Sequence, residues 1–248
     1  MPPGTTGRPG ATTGGQKADP QQGSDATMGK FYDESIIPAE LRRNFDVYGR
    51  IQRLGIDLGT FEQHVGTLKG RNIAGAVIHE SGLVYLSGVG TGSKPMNDDP
   101  ERVQHGQEAG QQAADLHLRT LHWTLCCGGE GGDLNDVLYT VKALGMVVST
   151  DVEFNSGPAV VNGYTKRWQS VFGGGFGEFA QDGLDAGGYA GVHARSAIGG
   201  FTGRFSLEPE MIVAIPPALA QAIIGNRGWV FPLPPQVHER IAAQRQGS

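Results

Sequence analysis

Apolar positions along the chain recur at two spacings, and the changes from one to the other mark out the elements. Leu41, Phe45, Tyr48, Ile51 and Leu54 fall at three- and four-residue steps behind Pro38, which predicts an amphipathic helix closing near Gly55. Arg71 to His79 and Leu83 to Val89 are short runs of β-branched and apolar residues separated by Glu80-Ser81-Gly82, the pattern of a hairpin. A polar loop carrying Lys94-Pro95 and Asp98-Asp99-Pro100 then leads into a long helix from about Arg102 to Cys127. Its apolar stripes are Ala109, Ala113, Leu116, Trp123 and Ala114, Leu118, Leu121, Leu125, and Gly128-Gly129 stops it. Val137 to Ser149 has bulky residues on both faces, as a buried strand does. Asn155-Ser156-Gly157-Pro158 opens a second helix with Val161, Tyr164, Trp168 and Val171 at helical spacing, ended by Gly173 to Gly175. Strands at Val192 to Ile198 and Met211 to Ile215 follow, then a short helix, Ala218 to Ile224, an extended Pro-rich stretch and a final polar helix. The order β-β-α-β-α-β-β predicts an α+β domain, a mixed sheet with two helices packed on one face.

Composition sharpens this outline. The 248 residues include 40 glycines, more than twice the usual ~7%, without a three-residue period. Seven of them sit in residues 1–30, which hold no Val, Ile, Leu, Phe, Trp or Tyr and are expected to be a disordered tail. The domain is expected over 31–216, with 217–248 as a C-terminal helical extension. A Gly-rich insertion at 173–191, punctuated by Phe176, Phe179 and Tyr189, is long enough to be a lid or binding loop. No apolar run reaches the ~20 residues of a membrane span, and no signal segment opens the chain, so a soluble, cytoplasmic protein is expected. With a net charge of -5 the chain offers no basic footprint, which argues against nucleic acid and against an RNA-cleaving role. Cys126 and Cys127 are adjacent and cannot staple distant segments.

Few residues carry chemistry on pattern alone. Gly88, Gly90 and Gly92 follow a strand, but the helix that would complete a phosphate loop does not begin there. His117 and His122 are five apart, off one helical face and without an acidic partner, so packed histidines are expected and no metal. His193 and Ser196 lack the elbow turn of a nucleophilic triad, and Cys127, at a helix C-terminus, faces the end of the dipole that disfavours a thiolate. Arg195 differs. It is the one permanent charge in Val192-His193-Ala194-Arg195-Ser196-Ala197-Ile198-Gly199, and a guanidinium in such a strand requires an anion, either a structural ion-pair partner or a ligand.

Four segments, taken in order, resemble the YjgF or Rid family of reactive-intermediate deaminases: Leu83-Val84-Tyr85-Leu86-Ser87-Gly88, Val141-Lys142-Ala143-Leu144-Gly145-Met146-Val147, Val161-Asn162-Gly163 and His193-Ala194-Arg195-Ser196-Ala197-Ile198-Gly199. The resemblance covers roughly residues 50–216. It implies a chorismate-mutase-like fold, a homotrimer with helices outside, and ligand sites in the clefts between subunits, with no metal and no cofactor. It assigns Arg195 the grip on a substrate carboxylate, and the stretch Ser87, Gly88 and Val89 the enclosure of the ligand. The family's last strand carries a glutamate just before Ala-Ile that positions the attacking water; here Val213 stands in that place. By spacing, His193 is the nearest substitute for the missing acid and base.

Two readings stay open. One is a hydrolase acting on a carbon–nitrogen bond, imine, enamine or amide-like, of a small carboxylate- or carbonyl-bearing metabolite. Arg195 and His193 would then be catalytic, and Ser87, Gly88, Val89 and Val213 would line the substrate. The other is a non-catalytic trimer that binds a metabolite or protects other proteins, having lost the glutamate at Val213. The insertions at 91–103 and 173–191 point to a larger or more specialised ligand, and Val213→Glu is the substitution expected to separate the readings.

Overall fold

Five strands and four helices are seen in the computed structural model, which describes residues 45–60, 75–126, 132–173, 195–201 and 205–227, with 195–201, 226 and 227 placed as backbone. In chain order they are α1 (Val47–Arg53), β1 (Ala76–Ile78), β2 (Leu83–Leu86), α2 (Pro100–Cys126), β3 (Tyr139–Val148), α3 (Gly157–Phe172), β4 (Arg195–Phe201), β5 (Leu207–Ala214) and α4 (Pro217–Arg227), with a short 3₁₀ turn at Leu134–Asp136. The predicted order of elements is the observed one. The N-terminal tail, Phe176 and the rest of the Gly-rich insertion from 174 onward, His193 and the chain beyond 227 lie outside the described residues.

The sheet order is β1-β2-β5-β3-β4. All neighbours are antiparallel except β3 and β4, which run parallel and are joined across the sheet by α3. The β1–β2 hairpin turns through Gly82, whose φ of 90° only glycine adopts freely and whose missing Cβ would overlap the Ile215 carbonyl. β5, late in the chain, is inserted at the centre. It begins four residues earlier than the apolar pattern indicates, at Leu207 rather than Met211. Pro209 fits within the strand because it lies past the last β2 pair, Leu86 and Met211. β4, described from Arg195, continues past the expected end at Ile198 to Phe201, because parallel pairing with β3 carries it through Gly199 and Gly200.

One sheet face is covered by α2 and α3. Ala143, Gly145 and Val147 of β3, Met211 and Val213 of β5, and Val84 and Leu86 of β2 are buried under them, with Leu118, Leu121, Val160, Val161, Tyr164 and Trp168 opposite. The helices approach closely where each has a glycine. A Cβ on Gly163 would lie 2.1 Å from the Gln107 carbonyl oxygen, and one on Gly110 would lie 2.7 Å from the Tyr164 amide. Gly145 lets α3 settle on the sheet in the same way, its position being filled by the Val161 side chain. Across the helix pair, Arg167 holds Asp115 with two nitrogens, at 2.8 and 3.0 Å, and reaches the Leu54 carbonyl. The Trp168 indole N–H donates to Thr140 Oγ1 at 2.9 Å, so the largest core side chain has its polar atom satisfied. Leu219, Ala220 and Ile223 of α4 join the same core.

Among the described residues no element covers the other sheet face. Tyr85 is 43% and Val77 39% exposed, Leu144, Met146 and Ile212 are half-buried, and Lys142 and Glu210 are exposed beside them. No helix among the described residues is long and apolar enough to cross a membrane.

Candidate functional site

The residues that follow β2 are tied to the core from beneath. His117 of α2 is fully buried; its Nε2 stands 2.9 Å from the Ser87 carbonyl oxygen and its Nδ1 2.6 Å from the Tyr164 hydroxyl. A carbonyl can only accept, so Nε2 carries the proton and Nδ1 accepts from the tyrosine. Burial lowers the histidine to a pKa of about 4, against a smaller opposing effect of the Ser87 carbonyl, and it raises Tyr164 well above the ordinary phenol. Both are therefore neutral at pH 7 and form a fixed chain from α3 through α2 to Ser87. The Ser87 amide donates to the Gly75 carbonyl and the Val89 amide to the Pro209 carbonyl, while Thr91 bridges to Leu207.

This backbone leaves three polar groups unspent. Among the described residues, the Ser87 hydroxyl, the Gly88 amide N–H and the Glu208 carboxylate have no hydrogen-bond or ion-pair partner. They are also neighbours. A Cβ built on Gly88 would lie 2.5 Å from Glu208 Oε1, so the carboxylate occupies the space that any side chain at position 88 would need. All three residues are half-buried, at the margin of the open sheet face. A carboxylate, a hydroxyl and a backbone donor this close together can orient a water and hold the oxygen or nitrogen of a small polar ligand.

The predicted site residues are distributed as follows. Ser87, Gly88 and Val89 are consecutive and lie together at this turn, with Glu208 beside them. Arg195 is the first residue of β4, next to Ala143 of β3, at the far end of the row Leu86, Met211, Ala143, Arg195. Two strands, β5 and β3, separate β2 from β4, so within one chain Arg195 is about 14 Å from the turn at ~4.8 Å per strand. Val213 is fully buried between Val84 and Thr140 in the helix-covered core, away from the open face. A glutamate introduced there would have to bury its carboxylate, so Val213→Glu tests stability before it tests chemistry. His193 lies outside the described residues.

Glu208 is the residue that pattern reading missed. Its signal was the alternation Leu207, Pro209, Met211 against Glu208, Glu210, Ile212, which places one side of β5 in the core and the other on the polar margin. His117 and His122 do not meet. His122 instead stacks edge-on to Tyr48 and shares a hydrogen bond with its hydroxyl, and no cluster of metal-ligating side chains occurs among the described residues.

No family model matches the chain, and no curated protein does. Among solved structures it is similar to a protein of unknown function from Agrobacterium tumefaciens, at 23% identity over 68% of this chain and 91% of that one, with a TM-score of 0.47. It is also similar to a candidate endoribonuclease from Shewanella oneidensis, at 12% identity over 69% of this chain and 100% of that one, with a TM-score of 0.46. A third is the protein YjgH, at 16% identity over 60% of this chain and 88% of that one, with a TM-score of 0.31.

Proposed function

We propose that this protein is a Rid-type hydrolase that cleaves a carbon–nitrogen bond in a small carboxylate-bearing metabolite, working as a self-assembled trimer with its sites between subunits. The observation that carries the reading is the polar cluster at Ser87, Gly88 and Glu208, unspent among the described residues, on the margin of a sheet face that no described element covers. A hydroxyl, an amide and a carboxylate of this kind can hold a small polar ligand, and the resemblance in the β2 and β4 segments names one. Arg195 supplies the second half of the site. Its fork matches a carboxylate bidentately, and the ~14 Å between it and the turn within one chain makes a second copy the natural source of the cation. The half-buried Leu144, Met146 and Ile212, with exposed Tyr85 and Val77, form an apolar surface that such assembly would cover.

The test is kinetic. Hydrolysis of the 2-imino acid released from L-leucine by L-amino-acid oxidase is followed as ammonia formed above the buffer rate. Arg195→Lys should raise KM by tenfold or more with a smaller change in kcat, since the bidentate grip is lost while charge is kept. Unchanged kinetics in that variant would refute the clamp. The second reading, a binder without turnover, rests on the resemblance, in which valine at 213 stands where the family carries its glutamate. It predicts that keto acids raise the melting temperature of a protein that never accelerates imine hydrolysis.

A further inference from the structure

Resting on the hydrolase reading, we infer that Glu208 is the general acid and base of this site, taking over from β5 the work that no carboxylate at position 213 performs. The inference stands on where the side chain is placed. β5 alternates, so Glu208 emerges on the side opposite to buried Leu207 and Pro209 and reaches the turn after β2, where its Oε1 lies over Gly88. It accepts no hydrogen bond and faces no cation among the described residues, so its lone pairs are available. Structural carboxylates in this chain behave differently: Asp115 is clamped by Arg167, Asp98 accepts from the Asn155 and Ser156 amides, and Asp136 closes a capping box with Asp133. Gly88 is the complementary feature, since a glycine there is what leaves room for the carboxylate.

The step balances without an outside reagent. Water forms the new bond to the imine carbon as the C=N electron pair moves to nitrogen, and Glu208 takes the proton that the water loses. The protonated Glu208 then gives that proton to the amino group of the tetrahedral adduct. The C–N bond breaks with its electron pair leaving on ammonia, the hydroxyl oxygen forms the carbonyl, and the hydroxyl proton passes to the ammonia. Iminium and water become a carbonyl compound and ammonium. The Ser87 hydroxyl and Gly88 amide are placed to orient the water or the developing oxyanion.

Glu208→Gln, in the full chain and with the leucine-derived imino acid, should lower kcat by 10²-fold or more, with KM within threefold. Glu210→Gln, exposed two residues further along the strand, should leave both constants unchanged. Glu208→Ala should regain rate on addition of formate, a rescue that a purely structural role would not show. Gly88→Ala should lower kcat while barely moving the melting temperature, because the atom displaced is the end of a flexible side chain. A wild-type rate above buffer with Glu208→Gln within threefold of it overturns the role of Glu208 and leaves the hydrolase reading standing. A wild-type rate no faster than buffer overturns both.

Discussion

His117 shows how one side chain links the core to the candidate site and to pH. Folded, it titrates near 4 because burial disfavours the imidazolium; unfolded, it would titrate near 6.5. Between those values the unfolded chain binds a proton that the folded chain refuses, so stability is complete above pH ~6.5 and declines as pH falls towards 4. A difference of that size is worth on the order of 3 kcal/mol. Urea unfolding of the wild type from pH 7 to pH 4 should show this loss, and His117→Gln should flatten it while being less stable at pH 7. An equally steep acid loss in the variant would place the responsible proton elsewhere. The candidate site was legible in part at this scale. Arg195 could be singled out because it is the one permanent charge in its segment, whereas Ser87 and Gly88 entered the candidate site only through the family resemblance. Glu208 could not, since the apolar pattern starts the strand only at Met211 and leaves 207–210 outside it, whereas β5 begins at Leu207 and brings Glu208 against Gly88.

Between elements, the contact that decides the architecture is the crossing of α2 and α3. Gly163 there is not a weak point in a helix but the condition for close approach, its missing Cβ being replaced by the Gln107 backbone. In a surface helix Gly→Ala is stabilising by up to ~1 kcal/mol. Here Gly163→Ala should instead destabilise, by roughly 1–3 kcal/mol or more, because backbone rather than a side chain must move. A thermal melt that rises would show the helices to be farther apart than described. The elements themselves were readable because apolar periodicity reports which side of a helix or strand is dry. Their ends were less so: β4 continues through Gly199 and Gly200 and β5 starts at Leu207, both because pairing partners outside the segment supply what local propensity does not.

For the whole molecule, the sheet face that no described element covers is the basis for expecting assembly. Tyr85 lies near the middle of that face, opposite Ile212, with 43% of its surface exposed. Tyr85→Lys would set a charge into any interface formed there, with little cost to the isolated chain. Light scattering should report a trimer for the wild type and a shift towards monomer for the variant; a wild-type monomer at micromolar concentration would remove the basis for a site shared between copies.

The central position of β5 also bears on how the molecule is made. Neither β1–β2 nor β3–β4 touches the other pair in the sheet; both lean on a strand that comes late in the described chain. A growing polypeptide leaving the ribosome therefore carries two strand pairs not yet joined in the sheet, each with a naked edge, until residues 207–214 emerge and pair between them. Such long-range closure is slow. Interruptions of synthesis shortly before Leu207 would release species that cannot complete their sheet and are primed to aggregate.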